Sequence, residues 1–423
     1  PGRPAARILR KMAGDEEPAG RGSMATGERS RDAALRERAR RVVPGGMTGH
    51  LQAALLPSGY PQFFAGGSGC RVVDVDGREF LDFMCAWGPN VLGYRHPEVE
   101  AAAARQQALG DCLNGPSPWM VELAERLVDT VAHADWAMFQ KNGTDATTVA
   151  LMIARAATGR RKVIVARRSY HGAAPWCTPV PAGTTAEDRA HRVEITYNDI
   201  DGLESAFERV SGDLAAILVT PHRHELGTEQ QPVDPAFARR IRALCDRAGA
   251  ALVLDEVRTG LRIDLAGSWE PLGIRPDLSA WSKAIANGHA LAAVTGIDAL
   301  RDAATRIFTT GSFWCGAVAM AAGVATLEIA LREGLVAHLD RVGRRLREGL
   351  ATQSASHGVP VRQSGPVQMP LVLFEDDPDF AKGTLFCAEA LAHGAYLHPR
   401  HNMFLSLAHT EADIDRALAA TDR

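Results

Sequence analysis

Lys283 is the residue of this chain whose type and surroundings point most directly to chemistry. It lies in DLSAWSKAIANGHA, residues 277–290, among small and apolar neighbours. Only five of the 47 basic residues are lysines, and the rest are arginines. Burial lowers the pKa of an ammonium group, and the neutral amine is a nucleophile towards carbonyl compounds, whereas arginine stays charged. The alternative is a surface lysine on a loop.

Three further segments place chemically useful groups directly after apolar runs. In QKNGTDATT, a helix opens at Thr144, and its free N–H groups form an anion site, although ordinary loops and helix caps look the same. In RRSYHGAAP, Tyr170 stands beside His171 and either stacks on a flat ligand or lies half-buried in a loop. In LVLDEV, Asp255 ends an apolar strand, where a carboxylate needs a cationic or hydrogen-bonding partner.

Together these four segments carry the groups that pyridoxal phosphate requires. Its phosphate needs N–H donors, its pyridine ring needs a flat face, its ring nitrogen needs a carboxylate, and its aldehyde needs an amine. A separate structural role for each segment explains less well why all four segments occur together and in this order. The sequence therefore predicts a pyridoxal-phosphate enzyme.

The elements that position these groups alternate between strand and helix from about residue 136. The strands are continuous apolar runs, which predicts an α/β fold with a mostly parallel sheet and helices on both faces, plus a smaller α+β domain. Such sheets bind ligands beyond the carboxyl ends of their strands. Local signals include a helix broken at residues 44–46, a hairpin at Asp76-Gly77, a helix end at Gly159, and helix starts at Asp234-Pro235 and Thr410.

The length of 423 residues suggests two domains or one large α/β domain with attachments. Residues 1–25 are expected to be disordered or an artificial extension ahead of Met24. Residues 26–85 are predicted to form a helix and hairpin that join the small domain. Residues 86–320 are predicted as the large cofactor-binding domain and 321–423 as the small C-terminal domain.

Composition excludes several classes of function. The net charge of −3 gives no reason to expect nucleic acid as a partner, and no apolar run is long enough to span a membrane. Seven scattered cysteines without a C-x-x-C spacing argue against a disulfide framework or a metal site and favour the cytoplasm.

Six ordered motifs resemble class III aminotransferases of fold-type I, in the branch of glutamate-1-semialdehyde aminomutase, over roughly residues 30–420. They are FLDFMCAWGPNVLGYRHPEV, NGTDAT, SYHG, LDEVRTG, DLSAWSK and GSFWCGAVAMAAG, and the ending LSLAHTEADID is also similar. The resemblance implies that Lys283 forms the Schiff base and moves protons, that Asp255 pairs with the ring nitrogen, and that Tyr170 and Val257 cover the two ring faces.

The same resemblance implies the remaining site residues. Asn142, Gly143 and Thr144 would hold the phosphate, with Asn142 where the family has Ser, and His171 would belong to the cofactor site. Ser312 stands where the family has a Thr that reaches the partner subunit's phosphate. This implies a homodimer with shared active sites. Trp87 would line the substrate pocket.

Several positions depart from the family's pattern. Thr220-Pro221 replaces Glu-Pro, so the contact to the cofactor's ring hydroxyl is open among His222, Arg223, His224 and Glu225. Gly316-Ala317 replaces Asn-Pro. Gln52 stands about where the aminomutase has its carboxylate-binding arginine.

Arg400, just before the predicted strand FLSLA, resembles the arginine with which β-amino-acid aminotransferases bind a carboxylate; the alternative is a solvated loop arginine. His398 and His401 flank it.

The favoured hypothesis is an aminotransferase that moves an amino group between an amino acid or amine and a keto acid. An aminomutase or another reaction with the same cofactor is the second hypothesis. A non-catalytic pyridoxal-phosphate sensor is the third, and the intact Lys283 and Asp255 disfavour it.

Overall fold

The computed structural model describes residues 30–423, so the expectation for residues 1–25 lies outside the described part. The chain divides after Leu56 into two compact units. In the first unit, helix α1 (Arg31–Val42) ends before the turn Pro44–Gly46, as the sequence predicts. Two short helical turns, Gly49–Leu51 and Ala53–Leu55, flank Gln52.

The second unit contains the sheets. Its strands are β1 (Phe64–Ser68), β2 (Arg71–Asp74), β3 (Glu79–Asp82), β4 (Trp136–Gln140), β5 (Lys162–Ala166), β6 (Arg192–Ile195), β7 (Leu214–Val219), β8 (His222–Glu225), β9 (Thr228–Pro232), β10 (Ala251–Asp255), β11 (Leu278–Trp281), β12 (Ala292–Gly296), β13 (Val361–Ser364), β14 (Leu371–Phe374) and β15 (Ala395–Tyr396). Its helices are α2 (Pro97–Gln107), α3 (Trp119–Thr130), α4 (Gly143–Thr158), α5 (Ala186–Arg189), α6 (Ile200–Val210), α7 (Pro235–Ala248), α8 (Arg301–Arg306), α9 (Ala317–Arg332), α10 (Leu335–His357), α11 (Ala381–Ala392) and α12 (Glu411–Thr421).

A seven-stranded sheet in the order β4-β12-β11-β10-β7-β5-β6 forms the centre of this unit. The neighbouring strands from β11 to β6 pair in parallel, and β12 runs antiparallel to both β11 and β4. The predicted mostly parallel α/β sheet is therefore confirmed. Its parallel strands end at one edge of the sheet.

Both faces of this sheet are buried against helices, which explains the uninterrupted apolar strands. All six residues of β7 are buried. On one face Ile217 and Leu252 pack with residues of α6 and α7. On the other face Leu218 and Val253 pack with residues of α4 and α8.

The local signals read from the sequence agree with the structure. Asn142 and Asp145 form a capping box at the start of α4, and Gly159 ends this helix with a φ of 68°. Asp234 caps α7, whose first residue is Pro235. Thr410 caps α12 in a capping box with Asp413.

A second, four-stranded sheet has the order β1-β2-β3-β15. Strands β2 and β3 form the predicted hairpin, and Gly77 in its turn has a φ of 84°. Strand β15 pairs in parallel with β3, which brings early and late parts of the chain together. The predicted domain limits at residues 85 and 320 stay a prediction.

The prediction that FLSLA forms a strand is wrong. The N–H groups of Met403, Phe404 and Leu405 donate to the carbonyls of Pro370, Phe83 and Gln368, respectively. Met403 and Leu405 thus bond to segment 368–370 on one side and Phe404 bonds to Phe83 on the other, but the backbone here is extended without being part of a regular strand.

Candidate active site

The predicted site residues follow strands that end at the same edge of the large sheet. Asp255 is the last residue of β10, and Lys283 follows β11 after one residue. Gly143 follows β4, and Tyr170 follows β5. Parallel strands place their carboxyl ends side by side, and ligands bind beyond those ends in open α/β sheets.

Lys283 begins a short helical turn, Lys283–Ala286, with a left-handed φ of 48°. Its Nζ donates a hydrogen bond to the Trp87 carbonyl oxygen at 3.0 Å. Burial holds the pKa of Lys283 well below its usual value, the cations Arg258 and Arg262 add to this, and Asp255 opposes it. The structure thus favours the neutral, nucleophilic amine that the sequence predicted for Lys283.

Asp255 is 4% exposed and has the partner that its burial requires. Its Oδ2 lies 2.7 Å from His171 Nδ1, and its Oδ1 accepts a hydrogen bond from the Val257 N–H at 3.1 Å. The carboxylate accepts, so Nδ1 of His171 carries the proton. The buried His171 Nε2 has no hydrogen-bond partner within residues 30–423.

The start of α4 leaves two backbone donors available. The capping box uses the N–H groups of Asn142 and Asp145, at 3.2 Å and 3.1 Å. The first N–H groups of a helix have no intrahelical acceptor, so those of Gly143 and Thr144 can receive an anion. Asn142 therefore contributes its side chain to the helix cap.

Two glycines allow neighbouring segments to pack closely around this helix start. A Cβ on Gly143 would lie 2.8 Å from Val257 Cγ1. Gly172 has a φ of 120°, and a Cβ there would lie 2.5 Å from the Thr144 hydroxyl oxygen. The same hydroxyl accepts a hydrogen bond from the Ala173 N–H at 3.1 Å. The β4–α4 turn and the Tyr170–Ala173 segment are therefore packed directly together.

Two aromatic side chains remain accessible at this edge. Tyr170 is 47% exposed, and the burial of the rest of its side chain raises its pKa. Trp87 ends a run of left-handed residues, Cys85–Trp87, with φ values of 46°, 55° and 67°. The Trp87 ring packs edge-on against His401 and His398, with centroid distances of 4.8 Å and 5.6 Å.

Two further predicted residues, Ser312 and Arg400, have other surroundings in the structure. Ser312 is exposed in the segment between α8 and α9. The Arg400 guanidinium lies 5.3 Å from the Phe380 ring centroid. The Arg400 carbonyl accepts a hydrogen bond from the Gly227 N–H at 2.7 Å. The substrate-binding role of Arg400 stays a prediction.

The segment HRHELG forms strand β8 and the turn that leads to β9, with which β8 pairs as a hairpin. Burial lowers the pKa of His222 to about 4. Burial also lowers the pKa of His224 well below its usual value, and Arg258, Lys283 and His401 add to this shift. Glu225 forms ion pairs with Arg168 and Arg223. Of the four residues left open by the sequence, His224 is the one coupled electrostatically to Lys283.

Sequence reasoning missed Arg258, Arg262 and Phe404, which lie near Lys283. Lys283 Nζ, the Arg258 guanidinium and the Arg262 guanidinium lie 5.9 Å, 5.7 Å and 5.2 Å from the centroid of the Phe404 ring. Arg262 is fully buried and donates to the Gly88 carbonyl. The available signal for Arg258 was its place just beyond the end of β10, at the edge where ligands bind.

The site has the features that pyridoxal phosphate needs. A helix start offers backbone donors beside two closely packed glycines, and a neutral amine lies near a buried carboxylate. His171 and Asp255 are held together in one orientation. The chemistry of these donors, the amine and the carboxylate fits the cofactor's phosphate, aldehyde and ring nitrogen.

Comparison with known proteins agrees with this chemistry. Residues 58–420 match the family described as aminotransferase class-III. The chain belongs to the class III aminotransferase family. Class III aminotransferases use pyridoxal phosphate, which supplies an aldehyde that takes up the amino group and a ring that stores charge. The chain is therefore a class III aminotransferase that transfers amino groups between an amine or amino acid and a keto acid.

Relatives of this class III aminotransferase span nearly its whole length. It is 51% identical over 400 residues to the aminopentol aminotransferase of Sphingopyxis macrogoltabida, covering 95% of this chain and 94% of that protein. It is 33% identical to a glutamate-1-semialdehyde 2,1-aminomutase of Roseiflexus castenholzii, covering 92% and 96%. The solved structure of the PLP internal aldimine form of Sphingopyxis sp. MTA144 FumI protein matches with a TM-score of 0.92 at 51% identity, covering 93% and 95%.

Within the described residues of this aminotransferase, no helix has the length and apolar character needed to cross a membrane.

Proposed function

We propose that this aminotransferase takes its amino group from an amine that carries several hydroxyl groups, of the aminopentol type, and passes it to a small keto acid. The identity of 51% over 95% of the chain to an aminopentol aminotransferase carries this proposal. Gln52, which stands about where the aminomutase has its carboxylate-binding arginine, supports transfer over the aminomutase reaction.

Uncharged polar side chains near Lys283 support a hydroxylated donor. His401 and His224 have pKa values well below the usual value because they are buried, so both imidazoles are neutral. The His398 Nδ1 accepts hydrogen bonds from the Arg400 and His401 N–H groups, at 3.1 Å and 3.0 Å. Neutral imidazoles both donate and accept hydrogen bonds, as hydroxyl groups require.

The positions of these side chains support the following roles. Lys283 Nζ would hold the cofactor through its aldehyde group and would move a proton at the reacting carbon. Asp255, which His171 holds by its 2.7 Å hydrogen bond, would pair with the ring nitrogen. Tyr170 and Val257 would cover the two faces of the ring, and the N–H groups of Gly143 and Thr144 would hold the phosphate.

A panel of donors tests the proposed substrate. The protein loaded with pyridoxal phosphate is mixed with an aminopentol, a β-amino acid or glutamate-1-semialdehyde. Conversion of the cofactor to its amine form is followed by absorbance. We expect fast conversion by the aminopentol, slow conversion by the β-amino acid, and none in Lys283→Ala. Faster conversion by the β-amino acid would contradict the proposed donor.

We also propose a homodimer in which Ser312 of each subunit binds the phosphate held by its partner. Ser312 lies between two exposed phenylalanines, Phe308 at 87% and Phe313 at 64% exposure. Exposed apolar side chains next to a cleft are typical of protein interfaces. The same segment lines a cleft of about 980 Å³ together with residues of α3.

A mixing experiment tests the shared site. Lys283→Ala and Ser312→Asp should each be inactive, since the second places a negative charge against the phosphate. In a mixed dimer, one site combines the native Lys283 of one subunit with the native Ser312 of the other. We expect activity to return when the two variants are mixed and refolded together. No return of activity in dimers shown to be mixed would contradict the shared site.

The cytoplasm is the proposed location, because the seven cysteines of the chain are all free thiols.

A further inference from the structure

Arg258 lies beside Lys283 without a counter-ion. Its Nη1 donates hydrogen bonds to Asn402 Oδ1 and, at 3.2 Å, to His401 Nε2. Its Nε is buried and has no acceptor, and no carboxylate within residues 30–423 forms an ion pair with it. Burial lowers the pKa of Arg258 to about 9, Asp255 opposes this shift, and Arg262 adds to it. Leaving a buried donor of a charged group unsatisfied is costly, so an acceptor is expected there.

The hydrogen bonds of Arg258 fix which of its edges is available. Nη1 is occupied, so His401 Nε2 must be an acceptor and His401 carries its proton on Nδ1. That Nδ1 donates to the Asn402 carbonyl at 2.8 Å, in agreement with this tautomer. The free edge of Arg258 consists of Nε and Nη2, whose parallel N–H groups match the two oxygens of a carboxylate.

The charges around this edge favour an anion. The Arg258 and Arg262 guanidinium groups both lie near the Phe404 ring, whereas burial favours the neutral amine of Lys283. Asp255 is the acidic group that raises the pKa of Arg258, and its carboxylate already accepts hydrogen bonds from His171 and Val257. The imidazoles of His224 and His401 are neutral, so an incoming carboxylate would meet the charges of two arginines opposed by the single carboxylate of Asp255.

The other two arginines are less suited to bind a substrate. Arg262 is 0% exposed and donates to the Gly88 carbonyl, so the protein itself encloses it. Arg400 is exposed, and its guanidinium lies over the Phe380 ring. Arg258 is partly buried and projects from the segment that follows β10.

We propose that the Nε–Nη2 edge of Arg258 binds the carboxylate of the keto acid that accepts the amino group. This rests on the proposed function, in which the amine donor has hydroxyl groups and the acceptor alone carries a carboxylate. Asn402 and His401 position the guanidinium from its other edge. The residue thereby selects 2-oxo acids over carbonyl compounds that lack a carboxylate.

The test compares acceptors with and without a carboxylate. The amine-loaded enzyme is reacted with pyruvate or with propanal, and binding of oxamate, an unreactive keto-acid analogue, is measured by calorimetry. In Arg258→Met we expect KM for pyruvate and Kd for oxamate to rise roughly 30-fold or more, because charge-assisted hydrogen bonds are lost. The reaction with propanal should change much less. Arg258→Lys, which keeps the charge without the fork, should be intermediate.

Arg347→Met is the matched control, since Arg347 is also partly buried with an unpartnered Nε but lies on α10. This variant should leave KM for pyruvate and Kd for oxamate unchanged. Unchanged KM for pyruvate and Kd for oxamate in Arg258→Met would overturn the proposal. An equal loss of activity with propanal would also overturn it, because it would show that Arg258 has a structural role. If the native enzyme converts no keto acid, the proposed function has failed, whereas oxamate binding still reports on Arg258.

Discussion

Gly143→Ala is the substitution whose outcome the structure specifies most closely. The new Cβ would lie 2.8 Å from Val257 Cγ1 and 3.0 Å from Cγ2. Any staggered rotation of Val257 leaves a Cγ atom at one of these two positions, so rotation relieves only part of the overlap. Val257 must therefore move, and it is the residue that we propose to pack against the cofactor ring.

The expected free-energy changes have opposite signs. Alanine favours a helix over glycine by about 0.5–1 kcal/mol, which would stabilise the start of α4. Overpacking destabilises a close-packed site by about 1–3 kcal/mol. We expect Gly143→Ala to lower the free energy of unfolding by about 1 kcal/mol net and to raise Kd for pyridoxal phosphate about tenfold or more.

A double-mutant cycle with Val257→Ala isolates the overlap. Val257→Ala removes both Cγ atoms, so adding Gly143→Ala to it should be neutral or stabilising. The free energy of unfolding is measured by urea denaturation of the apoenzyme, and cofactor affinity by absorbance titration. If the two substitutions are additive within about 0.5 kcal/mol, they do not interact and the proposed clash is refuted.

Three further predictions follow from the buried charges. Lys283→Arg replaces the neutral amine with a permanent cation, so amino transfer should fall by about 10³-fold or more and the cofactor's visible absorbance band should be lost. Near-native turnover would contradict the role of Lys283. Asp255→Asn keeps the shape but removes the charge, and the donor half-reaction in stopped-flow absorbance should slow by about 10- to 100-fold, while an unchanged rate would exclude a role for the charge. Burial lowers the pKa of His409 to about 4, so the unfolded state binds more protons between pH 4 and 6.5, and stability is full above pH 6.5 and falls as the pH falls towards 4. His409→Asn should reduce the change in the free energy of unfolding with pH, measured by urea denaturation, by at most about 3 kcal/mol. If the native protein and the variant lose the same free energy of unfolding between pH 7 and 5, His409 is not the origin of this pH dependence.

Local features of the fold could be predicted because neighbouring residues determine them. The Asp76-Gly77 hairpin and the start of α4 at Asn142 depend on residues within a few positions of each other. The apolar strands also revealed the parallel sheet, because a sheet covered on both faces needs no polar residues along its strands. The position of Lys283 and Asp255 just after such strands followed from the same pattern.

The surroundings of Lys283 depend on contacts between distant parts of the sequence. Arg258 meets His401 and Asn402 across 143 and 144 positions. No local pattern announces such a contact, because it depends on where the extended segment before α12 lies. The sequence suggested Arg400 as a carboxylate-binding residue, and this role stays a prediction, with its guanidinium 5.3 Å from the Phe380 ring centroid.

The sequence by itself determined the chemistry that this protein can perform, because a lysine, an acid and a phosphate-binding turn follow strands in a fixed order. The tertiary structure decided the protonation and charge around them. The neutral state of Lys283, the tautomer of His401 and the free edge of Arg258 depend on burial and on partners that only folding brings together.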